Sequence, residues 1–343
     1  MINPNFIQYD LVVISPKLER LHVFQLAEDL QWEENEEEFA VRLSATFQDI
    51  QTPYGWIHEL FPNGAWIILY ADWGQGWTEV YRGRTFRHAV TVTGSAIIEV
   101  ISYDPLRELL MSEDDRFYGS GTTAKFIFED IFTSWGLPNT VEGPDTIVVR
   151  GDIETPEIGL AQQVFRGTRL GEMLISVLDQ VRLKKGGKFI IQSDQGAVNV
   201  VSRGKNSIIY HFGQDIVSSI TDDWSIEDLV TIVKVVGTED ADGKSQIEDT
   251  ILGLVEFGTF QRVIYSSKFE TLTAARDAGQ HIIDEEGKEK KIRRIQAPDL
   301  PFLRRGHAVH VQAGTLDGYY YVTGVQHDTK TRTMTFSVED LLP

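Results

Sequence analysis

The sequence predicts an α+β protein that is predominantly β, with its helices gathered in the middle of the chain. Three observations lead there. Short runs with an apolar residue at every second position occupy both ends, as in Phe39, Val41, Leu43 and Ala45. Between Tyr103 and Lys185 the apolar spacing lengthens to three and four residues, the period of helices. Glycine and aspartate clusters punctuate the alternating runs, as turns between strands do. A chain of 343 residues is long enough for about two to three domains. The change of period divides it into an N-terminal β domain (1–102), a central α/β region with helices and a β-hairpin (103–215), and a C-terminal β domain (216–343).

In the first part, QYDLVVI and RLHVFQLAEDLQW read as strands broken apart by Pro16. The acidic run from Glu33 to Glu38 is expected as a solvated turn. Its monotonous glutamates lack the spacing and carbonyl ligands of a calcium loop. From Gly64 to Val100 the rhythm is that of a β-meander: AWIILYA as a buried strand, a turn at Asp72 to Gly76, WTEVYRGRTF as a second strand, and HAVTVTGSAIIEVISY as further strand material. Trp66, Trp73 and Trp77 read either as packing residues of this hairpin or as a sugar-stacking platform.

The central stretch Tyr103 to Pro138 changes grammar. Asp104-Pro105 opens a helix with Leu106, Leu109 and Leu110 apolar. Thr122 or Thr123 caps a second, because a hydroxyl accepts the free amide protons of a first turn. Ile127, Phe128, Ile131, Phe132 and Trp135 then share one face, Gly136 supplies a left-handed end and Pro138 forbids continuation. A third helix spans about Thr168 to Lys185, with Leu170, Met173, Leu174, Val177, Leu178 and Val181 in register. Arg182, Lys184 and Lys185 lie near its negative end, and Gly186-Gly187 close it. KFIIQSDQGAVNVVSRG reads as two strands about a turn at Asp194 to Gly196. In the last third, SIEDLVTIVKVVG enters a strand, Asp240 to Gly243 makes a turn, and Leu272 to Asp284 forms a helix with Ala275, Ala278 and Ile282 on one side. Strands return in KKIRRIQAP, GHAVHVQAG, YYYVTGVQHD and RTMTFSVEDLL.

Composition narrows the chemistry. With no cysteine there is no disulfide framework, cysteine nucleophile or thiolate metal site. The first residues lack a basic region followed by an apolar core, so no signal peptide is expected, and no apolar run is long enough to span a membrane. The net charge of −19 disfavours general nucleic-acid binding, which needs a basic face. It fits either plain solubility or an acidic surface along a channel or against a basic partner. Gly119 to Lys125 lacks the contiguous Gly-Lys-Ser/Thr of a phosphate loop. Asp240 to Gly243 lacks the first and last ligands of a calcium loop, since Thr238 and Asp249 fall there. His307 and His310, three apart in a strand, point to opposite faces and do not grip one zinc ion together. Carboxylates such as Glu113-Asp114-Asp115 are abundant but have no helper residue beside them. No catalytic, cofactor-binding or metal-binding residues are assigned, and no cofactor is expected.

The order of motifs carries more than any one of them. Tyr103-Asp104-Pro105-Leu106 with Leu109-Leu110, then Gly121-Thr122-Thr123-Ala124, Trp135-Gly136-Leu137-Pro138 and Phe165-Arg166-Gly167 follow in sequence. After them come the Lys188 to Val201 hairpin, Ser225 to Val230, Val233-Lys234-Val235, Arg305 to Val311, Tyr319 to Val322 and His327. This series resembles the baseplate hub proteins of contractile phage tails and phage-tail-like bacteriocins, the late control protein D-like prophage hubs. The resemblance covers most of the chain from about Arg82 onward. Where that family usually has Arg-Pro-Gly-Asp, this chain has Arg304-Arg305-Gly306-His307, which keeps the turn and loses the acid.

The resemblance implies two tail-tube-like β-barrel domains with a central α/β insert. It implies a homotrimeric ring of pseudo-sixfold symmetry that adapts a sixfold tail tube to a threefold central spike. The implied partners are the tube or tube-initiator protein, the spike, the tape-measure protein and baseplate wedge proteins, with no membrane and no specific nucleic acid. The implied place is a virion or tail-like particle, made in the host cytoplasm, and the implied role is structural rather than enzymatic. A tail-associated cell-wall hydrolase is the alternative from another class. Against it, the chain closes on its last strand at Leu341-Leu342-Pro343 with no appended lytic module. A carbohydrate-binding adhesin using the Trp66 to Trp77 hairpin is the other alternative.

Overall fold

A computed structural model of the chain describes residues 6–14, 19–35, 38–138, 148–184, 186–239, 244–269 and 271–341. The Pro16 break, Glu36-Glu37, Lys185, the Asp240 to Gly243 turn and the ends before Phe6 and after Leu341 lie outside the described residues.

The chain opens with β1 (Gln8–Ile14), β2 (Arg20–His22), β3 (Ala27–Glu34) and β4 (Arg42–Gln48). A small hairpin, β5 (Gln51–Thr52) and β6 (Gly55–Trp56), runs into the one-turn helix α1 (Ile57–Leu60). The meander follows as β7 (Trp66–Asp72), β8 (Thr78–Val92) and β9 (Ala96–Tyr103). Its first turn is fixed by the Asp72 carboxylate, which accepts from the backbone N–H groups of Gly74, Gln75 and Gly76 at 2.7, 3.1 and 3.0 Å. The two strand segments expected between Trp77 and Tyr103 are thus one fifteen-residue strand and its partner. A register shift between Thr85 and Arg87 bends the long strand without ending it.

The central region holds α2 (Leu106–Met111), β10 (Glu113–Tyr118), α3 (Ala124–Ser134), β11 (Val149–Ile153), β12 (Gln163–Arg169), α4 (Leu170–Leu183), β13 (Phe189–Asp194) and β14 (Ala197–Ser202). Thr123 is the cap of α3, its hydroxyl accepting from Phe126 N–H at 3.3 Å, and Gly136 takes φ 90° beyond the helix end. One run departs from the helical reading. Glu113 to Tyr118 is a strand, antiparallel to β12, with alternating exposure. Ile127, Phe128, Ile131 and Phe132 of α3 and Met173, Leu174, Val177 and Val181 of α4 are all fully buried in one core with Leu106 and Leu109 of α2.

The last third carries β15 (Tyr210–Gly213), β16 (Ser219–Ser225), β17 (Ile232–Glu239), β18 (Ser245–Leu252), β19 (Gln261–Tyr265), α5 (Leu272–Glu286), β20 (Lys290–Pro298), β21 (Ala308–Ala313), β22 (Leu316–Asp328) and β23 (Thr333–Asp340). Strands β18, β17 and β19 form a separate three-stranded sheet. Helix α5 covers one face of it through Ala275, Ala278, Ile282 and Ile283. This unit is tied to α4 by Arg182, whose guanidinium meets Glu285 and, at 3.3 Å, Glu286. Lys188 reaches Glu285 from the other side at 3.2 Å.

The two ends of the chain share one sheet of thirteen strands. Its path runs β16-β20-β23-β22-β3-β4-β9-β8-β7-β1-β2, with β21 beside β22 and β15 beside β21. The N-terminal strands enclose one apolar core and the C-terminal strands another, with Trp73 and Phe302 packed against both. The fold is α+β and predominantly β, as the alternating ends of the sequence predict.

Leu174 of α4 is wholly buried, whereas Phe126 of α3 is more than half exposed. Leu174→Ala is therefore expected to cost about 2–5 kcal/mol and Phe126→Ala within about 0.5 kcal/mol, read from urea unfolding.

Candidate functional site: a buried polar seam

Among the described residues the N- and C-terminal strands meet at a single strand pair. β22 lies antiparallel to β3, with Val325 opposite Glu34, Gln326 opposite Glu33, His327 opposite Trp32 and Asp328 opposite Gln31. Polar groups with full charges are buried along both sides of this pair.

On one side, the rings of His327 and Trp32 stack at 4.3 Å and 9°. His327 Nδ1 is 2.7 Å from the Asp299 carboxylate, and Nε2 is 3.2 Å from the Leu303 carbonyl. The Tyr9 hydroxyl donates to the other carboxylate oxygen of Asp299. Burial and the Asp299 charge push the Tyr9 phenol far above its ordinary range, so it stays a donor. An Asp–His pair beside a hydroxyl has the members of a nucleophilic triad. Here the order is wrong for one: the hydroxyl faces the carboxylate, and the far imidazole nitrogen faces a backbone carbonyl. The His327 side chain has no exposed surface. What the cluster does is join β1, β3, β22 and the 299–303 loop.

On the other side, Glu34 and Arg304 form a buried ion pair. Arg304 Nη2 also donates to the Ser193 carbonyl at 2.9 Å, and Nη1 lies 3.6 Å from Asp194 on the β13–β14 turn. Arg305 N–H donates to Glu34 at 3.3 Å, and its guanidinium to the carbonyls of Asn35 and Ile191 at 3.1 and 3.4 Å. Two arginines of one turn thus hold the end of β3 and the central hairpin together. Burial works against the Arg304 charge, but Glu34, Asp194 and Asp104 outweigh it and keep the guanidinium above its ordinary value. Gly306 completes the turn at φ 85°, a backbone conformation that favours glycine, and a Cβ there would have to displace the Ile190 Cδ1 methyl. The residues around Arg304 and Glu34 leave a void of about 10 Å³, room for one water molecule and not for a substrate.

Two titratable groups border this network. Burial, with the Glu34 charge, raises the Asp104 carboxyl to about 8; Arg304 pulls the other way. Burial and the adjacent Arg304 charge lower His307 to about 4, and its Nδ1 accepts from Arg304 N–H at 3.4 Å. His307 is therefore neutral and turned inward, while His310 lies on β21 facing out, so the two do not share a ligand.

The structure corrects the expectation of a solvated acidic run: Glu33 and Glu34 are strand residues, and Glu34 is only 6 % exposed. A carboxylate is tolerated there because Arg304, 270 residues away, supplies its countercharge. The doubly basic turn at Arg304-Arg305 was the only trace of this in the sequence. The three tryptophans of the meander do not form one surface. Trp66 lies beneath the Arg84 guanidinium at 4.2 Å, Trp73 packs on Phe302 at 4.0 Å, and Trp77 is half exposed.

The fold as a whole is that of phage tail proteins. It is similar to the tail protein from Neisseria meningitidis MC58, at a TM-score of 0.68 and 10% identity over 97% of both chains. It is similar to the prophage MuSo2 43 kDa tail protein from Shewanella oneidensis, at 0.67 and 13% over 97% of this chain and 98% of that one. An Escherichia coli component of the type VI secretion system, described as structurally similar to T4 bacteriophage tail proteins gp27 and gp5, matches at 0.55 and 11% over 92% and 74%. The chain itself belongs to the YQBQ-like family, whose model matches residues 30–339. No curated protein matches it in sequence.

Two outcomes follow from the seam. Arg304→Met leaves Glu34 buried without a countercharge and is expected to cost about 3–5 kcal/mol in urea unfolding, much of it recovered by adding Glu34→Gln. The pH dependence has two limbs. Asp104 is raised in the native state, so its contribution is full below about pH 4 and is lost as pH rises toward about 8. His307 is lowered, so its contribution is present above pH 6.5 and is lost as pH falls toward about 4. Asp104→Asn should flatten the alkaline limb of a Tm-against-pH profile and leave the acid limb in place, each group contributing at most about 1.4 kcal/mol per pH unit.

Proposed function

We propose that this protein is a structural component of a contractile tail, the baseplate hub, and that three copies form a ring joining a sixfold tail tube to a threefold spike. The observation that carries this reading is the end-to-end likeness to tail proteins, over 97% of this chain and 97% and 98% of the other in two separate cases. The work of such a protein is symmetry matching, and no residue has to react. Its partners are then a second and third copy, the tube or its initiator above, the spike below, and the tape-measure and wedge proteins around it. Residues 1–102 and 216–343 act as the two tube-like units, with 103–215 carried beside them.

The sheet supports the ring. β7 accompanies β8 only to Thr85, through Gly64 and Ala65; from Arg87 to Val92 the partner of β8 is β9. The outer half of β8 with β9, β4 and β3 is thus a four-stranded ribbon. β22, β23, β20 and β16 form another. Joined at β3–β22, the ribbons make an arc of eight strands, each antiparallel to the next, whose edges at the outer half of β8 and at β16 have no further strand partner among the described residues. An even, alternating arc presents antiparallel partners at its two ends. Pairing β8 of one copy with β16 of the next is a heterologous contact that closes after a fixed number of copies. Because each chain brings two ribbons, three chains offer six. Arg87 lies on the β8 edge, while Asp222 and Asp223 on β16 are already paired with Lys291 at 2.6 Å and Arg294 at 3.7 Å on β20.

Light scattering should give three times the monomer mass at high concentration or with the spike present. Hydrogen exchange in that species should show new protection at residues 87–92 and 219–225. A chain that stays monomeric with its spike overturns the hub reading. A trimer without protection at those edges overturns the proposed contact alone. Clearing on a peptidoglycan zymogram would favour the hydrolase instead.

A further inference from the structure

The C-terminal sheet carries a pair of histidines that the seam does not use. β15 runs parallel to β21 and puts His211 opposite His310, 99 residues apart in sequence. Their Nδ1 atoms are 2.7 Å apart, and the rings meet edge to edge with centres 4.9 Å apart and planes 24° from parallel. The His310 ring is backed by Tyr319 at 4.7 Å. His211 is exposed and His310 half-buried, so the pair is open to ions in solution. Only one hydrogen fits between two ring nitrogens at this distance, so one ring donates and the other offers its lone pair.

From this geometry we propose that His211 and His310 form a two-histidine chelate for a divalent transition-metal ion of the Cu²⁺, Ni²⁺ or Zn²⁺ class. Imidazole nitrogens suit these ions, and metal–nitrogen bonds of about 2.0–2.1 Å place two adjacent ligand atoms about 3 Å apart. The observed separation is already near that span; the two Nδ1 atoms now face each other along the line between the rings, so both rings turn on binding to bring their lone pairs onto one ion. On binding, the ring with its hydrogen at Nδ1 passes it to Nε2, and both Nδ1 lone pairs then meet the ion. No net charge is lost from the rings. Among the described residues no group of three or more His, Asp or Glu side chains is placed to hold a metal, so the remaining coordination positions belong to water or to another molecule. The ion would fasten β15, a four-residue strand whose partner is β21, to the sheet that carries the seam.

The test uses the untagged full-length chain, titrated calorimetrically with CuSO₄, NiCl₂ and ZnCl₂. Binding of one Cu²⁺ per chain is expected, with nitrogen hyperfine structure in its electron paramagnetic resonance spectrum. His211→Gln and His310→Gln should each weaken binding at least about tenfold, with circular dichroism unchanged. His22→Gln, on the other half of the sheet, should leave it as it was. Binding that survives either substitution, or no binding at millimolar metal, overturns the proposal. If one of the two variants unfolds, loss of the nitrogen signal in the other still decides it.

Discussion

Two chain ends made of short strands become one sheet only because β3 and β22 pair. The pair has four residues on each side, and everything N-terminal and C-terminal hangs from it. So short a ladder does not hold two cores together by its backbone bonds alone, each of which is worth about 1 kcal/mol net. The side chains around it complete the joint: the Trp32–His327 stack with Asp299 and Tyr9 beneath it, and the Glu34–Arg304 pair beyond it. Thr329 adds a clasp, its N–H and hydroxyl both donating to the Leu30 carbonyl at 3.1 and 3.0 Å.

Buried charge is a poor source of stability, because desolvation offsets most of the attraction between the partners. It is a good source of specificity. An apolar seam would tolerate β22 sliding along β3 by two residues. Glu34 and Arg304 do not, since a slip strands both charges. The register of this one pair sets where each four-stranded ribbon ends, and so which edges are free. In a ring built by edge pairing, an error of two residues at the seam would be repeated in every copy. The polar seam and the proposed assembly therefore place the same demand on the fold.

Much of this was legible along the sequence. Helix α3 has its cap at Thr123, its buried stripe and its stop at Gly136 all within fifteen residues, so local chemistry suffices to specify it. The strands of the meander and the β13–β14 hairpin were legible for the same reason. The strand β10 was not. Glu113 to Tyr118 has no apolar stripe of its own and becomes a strand because β12, about fifty residues later, supplies the partner. The seam was not legible either. Glu34 sits in an acidic run and Arg304 in a basic turn, and each alone reads as surface. The same holds for the histidines: His310 was visible beside His307, but its actual neighbour is His211.

The sequence by itself determined the α+β composition, the positions of the capped helices and the absence of any thiol chemistry. It did so because caps, periodicity and residue type act within a turn or two of chain. Through the order of its motifs it also pointed to the family of folds. Tertiary structure alone decided which strands join the two halves, which charges are buried and which edges remain open. Those outcomes depend on contacts between residues one hundred to three hundred positions apart. No local pattern records them, because the free energy of a buried carboxylate is set by its partner and not by its neighbours in sequence.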